Sequence, residues 1–308
     1  MGGWTFWSID VNHPTLSRRA IGAAVIATLM PLTAIAQTAP TATALVRMHT
    51  AYGAIDVELY GAHAAGTVNN FMSYVRSGAF TGTVFHRSVK NFVIQAGHVA
   101  WPASAPQLDY IPPGAPIVNE YSAARPNVRG TIAMAKVGGN PNSATSQWFF
   151  NLADNTTVLG PTQNGGFTVF GKATPPSLAV IDKIAALPLV NAGAEFSEFP
   201  VVNYTAGPIL RPNMALVERI EELPAKTSLS AGDRIFNYLE AAYPQYAPPG
   251  NAVSGVALGY NYRHYAATGA YAGTKDGMVY YLVPALSPDI HPLGSMAEWL
   301  AIAEVNGY

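Results

Sequence analysis

The chain has 308 residues, of which 49% are hydrophobic and only 11% are charged. Ordinary soluble domains have about 25% charged residues, so the composition favours turns and short strands over long surface helices. The formal net charge is -1, and no stripe of basic residues is visible, which argues against a nucleic-acid partner. Cysteine is absent, which excludes disulfides, thiolate metal sites and cysteine nucleophiles.

Residues 1–36 have the pattern of a signal peptide. Arg18 and Arg19 precede an apolar run over 20–35, and the run ends in a small-x-small cleavage pattern at Ala36. The run is shorter than the roughly 20 residues that a membrane-spanning helix needs. We therefore predict cleavage after Ala36, a periplasmic or secreted mature protein, and no stable membrane insertion after cleavage. Sec-type and twin-arginine export both stay open.

A short linker is predicted at 37–43, followed by a first domain over 44–205. Alternating apolar residues over 45–60 predict a β-hairpin. Helical spacing predicts a helix that begins at the N-cap Thr67 and ends at Gly78, and a second helix over 177–187. Short apolar runs separated by glycine, proline and asparagine fill the rest of this region. The pattern favours a mainly β fold, a closed antiparallel β-barrel capped by two helices.

A second linker at 206–212 contains glycine and proline, and residues 213–308 form a separate unit. An amphipathic helix is predicted over 230–243, then tyrosine-rich strands with a hairpin turn at Asp276-Gly277, then a short helix over 295–305. We predict a small α+β module. Its tyrosines either form a core or line a face that binds peptide, a glycan or an envelope component.

Four motifs between 85 and 150 stand out. They are FHR at 85–87, FVIQAG at 92–97, RGTIAMA at 129–135 and SQWFF at 146–150. In order and spacing they resemble the cyclophilin family of peptidyl-prolyl cis/trans isomerases, and the resemblance covers about 44–205. It implies a cyclophilin-like barrel and binding of proline-containing peptides.

Prolyl isomerisation makes few chemical demands. Amide resonance sets a rotation barrier of ~18–20 kcal/mol, while the two X-Pro isomers differ by only about 0.5–1 kcal/mol. A catalyst needs an apolar slot for the proline ring and a fixed donor that favours the twisted prolyl nitrogen, and such a donor acts most strongly in a dry pocket. No nucleophile, metal or cofactor is required, and we expect none.

Arg87 suits this role because its guanidinium is planar, always charged and rich in donors. The resemblance implies that Arg87 donates toward the prolyl nitrogen, while Gln95 binds a neighbouring substrate carbonyl and helps to hold the arginine. The proline slot and the adjoining groove would be lined by Phe92, Val93, Ala135, Gln147, Phe149, Val158, Leu159 and Phe167. His86, beside a strand-like phenylalanine, is interpreted as a hydrogen-bonded core histidine and not as a base.

Three of these positions depart from the family pattern. Val158 stands where many eukaryotic cyclophilins have a pocket tryptophan, Phe167 where histidine or tyrosine is frequent, and Val93 where methionine is usual. Arg87 is retained, so the resemblance implies catalysis with weak binding of cyclosporin.

We therefore predict a prolyl isomerase that assists the folding of exported proteins, its partners being proline-containing peptides and unfolded exported chains. The alternative is a module that binds proline segments, or acts as a chaperone, without turnover, anchored to an envelope partner by the C-terminal module. Arg87 favours the enzyme, since a protein that only binds has no need of it.

Overall fold

The computed structural model describes residues 40, 42–193, 195–224, 229–250 and 252–308. The predicted signal peptide at 1–36 lies outside the described residues, as does much of the predicted linker at 37–43. Among the described residues, none of the helices combines the length and the hydrophobicity that a bilayer crossing requires.

The first part of the chain is dominated by short strands. Its elements are β1 (Ala44–Thr50), β2 (Gly53–Leu59), α1 (Ala65–Arg76), β3 (Thr83–Val84), β4 (Arg87–Val89), β5 (Val93–Ala96), β6 (Val99–Ala100), β7 (Asp109–Tyr110), β8 (Thr131–Met134), β9 (Trp148–Asn151), β10 (Val169–Ala173), α2 (Pro175–Ala185), β11 (Leu189–Val190), β12 (Phe199–Pro200) and β13 (Leu216–Leu223). A single turn of 3-10 helix, Arg211–Asn213, precedes the last of these strands.

Eleven of these strands form one sheet in the order β4-β5-β9-β8-β10-β2-β1-β13-β3-β6-β7. Only residues 85 and 86 separate β3 from β4, yet seven strands stand between them in that order. The sheet must therefore curl strongly to bring the two together. The mainly β prediction is confirmed, and the sheet is a strongly curled half-barrel with α1 and α2 packed on it.

The hydrophobic core lies on the concave side of this sheet. Trp148 on β9 is fully buried and meets the rings of Phe71, Phe80, Phe85 and Phe150 at centroid distances of 5.6 to 6.3 Å. Large aromatic side chains contribute strongly to the apolar surface buried in this core, because each of them buries about 150–250 Å². The predicted hairpin over 45–60 is also confirmed, as β1 pairs with β2 in register along its full length.

The beginning of α1 corrects one prediction. Thr67 is not the N-cap: the helix begins at Ala65, and the free backbone groups of its first turn are satisfied from a distant part of the chain. Glu120 accepts hydrogen bonds from Gly66 N at 3.1 Å, Thr67 N at 2.7 Å and Thr67 Oγ1 at 2.6 Å. A carboxylate at this position also interacts favourably with the positive end of the helix dipole. Helical spacing alone could not reveal a cap from 53 residues away.

The second predicted helix is confirmed with an earlier start, since α2 spans Pro175–Ala185. Its first two residues are prolines, which the first turn of a helix tolerates because its N–H groups have no intrahelical partner.

The C-terminal module is β-rich. It contains α3 (Ala231–Ala242), β14 (Ala252–Ala257), β15 (Tyr260–Tyr265), β16 (Ala270–Lys275), β17 (Met278–Leu282), β18 (His291–Ser295) and α4 (Met296–Val305). The five strands form an antiparallel meander. The predicted Asp276-Gly277 turn is confirmed, with φ of 49° and 75°, as a type I′ hairpin turn requires. Ser230 and Ser295 cap the two helices.

The strand β13 follows the predicted linker at 206–212, and it pairs with β1 over Leu45–Thr50. The large sheet therefore continues beyond residue 212. The predicted division of the chain into two mature domains stays a prediction.

A buried cluster of charges joins the module to the large sheet. Arg47 on β1 binds Asp56 on β2, with N–O distances of 2.7 and 2.8 Å, and Glu240 on α3 at 2.5 Å. Arg263 on β15 binds the other oxygen of Glu240 at 2.7 Å, and the Tyr308 hydroxyl donates to Asp56 at 2.5 Å. Two cations and two carboxylates balance, so no charge of the four is buried unpaired.

This cluster generates a stability prediction. Glu240→Ala should lower the free energy of unfolding by about 3–5 kcal/mol, because it leaves the buried Arg47 short of a partner. Glu304→Ala removes the exposed partner of Arg234 and should cost about 0–1 kcal/mol. Urea unfolding of both variants measures the difference. An equal decrease in the free energy of unfolding in the two variants would contradict the claim that the buried cluster stabilises the fold.

Candidate active site

The register of four neighbouring strands brings the sequence-predicted residues together. Arg87 is paired with Gln95, Gln95 with Phe149, and Phe149 with Ala133, in one row across β4, β5, β9 and β8. Side chains alternate along each strand, so the intervening residues point into the core while this row faces the other side. The same alternation places Val93 and Ala135 beside the row.

These residues line a cavity of about 200 Å³. Its walls combine one guanidinium, one amide and one ammonium with apolar and aromatic side chains: Arg87, Phe92, Val93, Gln95, Ala135, Lys136, Phe149, Leu159 and Phe167. Eight of the ten predicted site residues are thus brought to one place. The exceptions are Gln147 and Val158.

Gln147 lies next to the cavity without lining it. Its Oε1 accepts from Gln95 Nε2 at 2.8 Å, and its Nε2 lies 3.0 Å from His98 Nδ1. Val158 is 56% exposed and is not among the lining residues, whereas its neighbour Leu159 is buried against the cavity.

The aromatic wall of the cavity is built from Phe149 and Phe167. Their rings meet edge to face with centroids 5.9 Å apart. Lys136, which sequence reasoning missed, places its Nζ 4.7 Å from the centroid of the Phe167 ring. It donates to the carbonyls of Asn164 and Gly166 at 2.7 and 2.5 Å, and burial lowers its pKa. A lysine directly after the RGTIAMA motif is the signal that could have pointed to it.

Arg87 is half-exposed at the rim of the cavity. Its Nε donates to Glu198 Oε2 at 2.9 Å. The contact to the arginine that the resemblance implied for Gln95 is made by this carboxylate instead, while the Gln95 amide binds Gln147. Glu198 lies outside every motif, so no sequence signal identified it.

His86 is buried, with 3% of its surface exposed. Desolvation by burial lowers its pKa to about 3, with a smaller contribution from the nearby His98, so its imidazole is neutral at physiological pH. The interpretation of His86 as a core histidine agrees with this burial.

Gly97 in the FVIQAG motif is required by a close approach of two chain segments. Its φ is 86°, and a Cβ at this position would overlap with the carbonyl oxygen of Ser146. Only glycine combines that backbone conformation with the missing side chain. The motif therefore carries packing information as well as the candidate site residues.

Comparisons with known proteins identify the family of this chain. The family model of the cyclophilin type peptidyl-prolyl cis-trans isomerases matches residues 45–205, just over half of the chain. This chain therefore belongs to the cyclophilin-type peptidyl-prolyl isomerase family, which confirms the resemblance drawn from the four motifs.

Two curated relatives and one solved structure illustrate the similarity. A peptidyl-prolyl cis-trans isomerase of Acinetobacter baylyi is 41% identical over 152 residues, which cover 49% of this chain and 77% of the relative. Peptidyl-prolyl cis-trans isomerase A of Dickeya dadantii is 33% identical over 205 residues, 66% of this chain and all of the relative. A crystal structure of a cyclophilin type isomerase of Cryptosporidium parvum has a TM-score of 0.44 and 22% identity, covering 59% of this chain and 98% of its own.

The exposed position of Val158 yields a prediction about inhibitor binding. Wild type should bind cyclosporin weakly, because no tryptophan covers the cavity at this position. Val158→Trp should tighten binding about tenfold, equivalent to ~1.4 kcal/mol. Val305→Trp on α4, also at a highly exposed valine, is the matched control and should change nothing. Titration followed by tryptophan fluorescence measures the affinities, and nanomolar binding by wild type would contradict the assignment of Val158.

Proposed function

We propose that this chain catalyses rotation about X-Pro bonds in the cavity lined by Arg87 and Phe149. The observation that carries the proposal is the permanently charged guanidinium of Arg87 at the rim of a small, largely apolar cavity. Family membership supports it, because the family binds proline-containing peptides.

The cavity has the features that the reaction requires. Phe149, Leu159 and Phe167 offer apolar surface to the pyrrolidine ring, and a cavity of about 200 Å³ suits a single small ring. Four N–H groups on the two terminal nitrogens of Arg87 can donate to a prolyl nitrogen. Rotation removes amide resonance and gives that nitrogen a lone pair that accepts a hydrogen bond. A donor at this point therefore stabilises the twisted state more than either planar isomer.

A second polar group in the cavity, the amide of Gln95, orients the substrate. Gln95 uses one N–H of its amide on Gln147, which leaves its other N–H free to bind a substrate carbonyl. Holding the flanking peptide bond while the prolyl bond rotates lowers the entropy lost in the transition state. The alternative, binding of proline segments without turnover, gives no account of Arg87 at the rim.

Removal of the arginine tests the proposal. Arg87→Ala should lower kcat/KM on a short X-Pro peptide about 100-fold, the usual cost of losing one preorganised donor. Arg76→Ala, which removes an exposed arginine of α1 paired with Glu222, is the control and should retain wild-type activity. The measurement is isomerisation kinetics. An inactive wild type would rule out the enzyme, and equal activity in wild type and Arg87→Ala would rule out the role of Arg87.

We also propose that the signal peptide is cleaved after Ala36 and that the mature protein is periplasmic or secreted. Its substrates would then be other exported proteins. The sequence pattern of residues 1–36 supports this location.

We propose in addition that the large sheet is a closed barrel. Two hydrogen bonds support this form: Phe85 N donates to Ala215 O at 2.9 Å, and His86 N donates to Gln95 O at 3.1 Å. Phe85 and His86, the two residues between β3 and β4, are thus bonded to the chain just before β13 and to β5, which lie in distant parts of the strand order.

A second proposed function concerns the outer face of the five-stranded sheet. Tyrosines of β15, β16 and β17 surround Gly273 there and line a cavity of about 300 Å³. The lining residues carry no charge: they are Ala257, Leu258, Tyr260, Tyr262, Tyr271, Gly273, Tyr280, Tyr281, Leu282 and Ile290. Sugar rings and proline rings both pack on such aromatic faces. We propose that this tyrosine face binds a neutral envelope ligand, a glycan or a peptide segment.

The tyrosine face is tested in the full chain, because α3 shares the buried Arg47 cluster with the large sheet. Tyr262→Ala should weaken binding of soluble peptidoglycan fragments or of a proline-rich peptide about tenfold, equivalent to ~1.4 kcal/mol. Tyr246→Ala, which changes an exposed tyrosine outside this cavity, should bind as wild type does. Calorimetric titration measures the affinities of both variants and of wild type. If wild type binds neither ligand, the proposed role of the tyrosine face is wrong.

A further inference from the structure

The hairpin formed by β11 and β12 lies alongside the candidate active site. Its strands pair through Leu189 with Pro200 and Val190 with Phe199. Ser88 N on β4 donates to Glu198 O at 2.9 Å, so the hairpin is bonded to the strand that carries Arg87. Phe199 is buried with 2% of its surface exposed, which anchors the base of the hairpin in a hydrophobic cluster.

The first contact from this hairpin is made by the Glu198 side chain. It accepts from Arg87 Nε at 2.9 Å, and the two side chains are 38% and 36% exposed. Within the described residues the guanidinium has no other hydrogen-bond partner. An arginine has several rotatable side-chain bonds, so this single bond decides which orientation the guanidinium holds at the rim.

The second contact reaches Gln95 through a chain of hydrogen bonds. Gln95 donates to Gln147 at 2.8 Å, Gln147 Nε2 lies 3.0 Å from His98 Nδ1, and His98 Nε2 lies 3.2 Å from Glu195 Oε2. Tyr110 also donates to Glu195, at 3.2 Å. All these bonds are satisfied together by a neutral His98 that carries its proton on Nε2. The Glu195 carboxylate at the end of the chain then selects that tautomer.

We propose that the β11–β12 hairpin is the positioning element of the active site, with Glu198 orienting Arg87 and Glu195 orienting Gln95 through His98 and Gln147. The inference rests on the proposed isomerase function. Glu198 and Glu195 are positioning residues, since each acts through another side chain.

Glu198 could act on Arg87 by positioning it or by neutralising its charge, and these two roles predict different effects of substitution. As a positioning group the side chain needs only an oxygen that accepts from Arg87 Nε, which glutamine also supplies. As a charge it would partly neutralise the guanidinium and weaken its hydrogen bond to the substrate. Positioning therefore predicts that glutamine replaces glutamate and alanine does not, whereas neutralisation predicts that both variants gain activity.

The experiment compares Glu198→Ala and Glu198→Gln, with Glu222→Ala as the control at an exposed glutamate that also pairs with an arginine. We expect Glu198→Ala to lower kcat on a short X-Pro peptide about tenfold with little change in KM, because displacing a catalytic group by about 1 Å costs up to 100-fold. Glu198→Gln and Glu222→Ala should remain within about threefold of wild type. Glu195→Ala should lower kcat in the same direction as Glu198→Ala.

The second readout is the ¹H–¹⁵N NMR signal of the Arg87 Nε–H group, which a general loss of stability does not move selectively. It should shift in Glu198→Ala and stay near its wild-type position in Glu198→Gln and Glu222→Ala. This readout needs no turnover, so it tests the Glu198 contact even if wild type proves inactive and the proposed function fails. An unchanged signal in Glu198→Ala, or equal kcat values in Glu198→Ala and wild type, would overturn the proposal.

Discussion

The candidate site depends on the register of four short antiparallel strands. On β5 and β9, Gln95 and Phe149 face the cavity while their neighbours Ile94 and Phe150 are fully buried in the core. A slip of one residue would exchange the two faces. It would turn the core residues outward and move the polar amide into the core. The free energy of burying the core therefore also holds the site residues in their row.

The same constraint extends to the elements around the cavity. Gly97 lets β5 leave the sheet where the chain passes close to Ser146, and Ser88 binds the β11–β12 hairpin to the strand beside it. Arg87 thus lies between a strand fixed by the core and a hairpin fixed by Phe199. A cation that is only half-buried receives its orientation from these two supports and not from enclosure.

Charge is used sparingly in this chain, since only 11% of its residues are charged. The buried cluster around Arg47 and Glu240 takes four charges out of water, which is tolerable only because the cations and carboxylates satisfy one another. It joins α3 of the C-terminal module to the first hairpin of the large sheet. The described part of the chain from this hairpin to Tyr308 belongs to one compact unit.

Local sequence patterns predicted the first hairpin, the helices α1 to α4 and eight of the ten site residues, because alternation, helical spacing and the four motifs each depend on residues close together in the chain. Eight predicted residues from Arg87 to Phe167 line one cavity. The motifs form neighbouring strands, and the register of these strands brings the motif residues side by side. The partners of side chains that lie far apart in the sequence are visible in the three-dimensional fold alone. Glu120 in place of a Thr67 cap, and Glu198 on Arg87, are such partners. Their contacts depend on where loops of irregular backbone come to rest, which no local periodicity encodes.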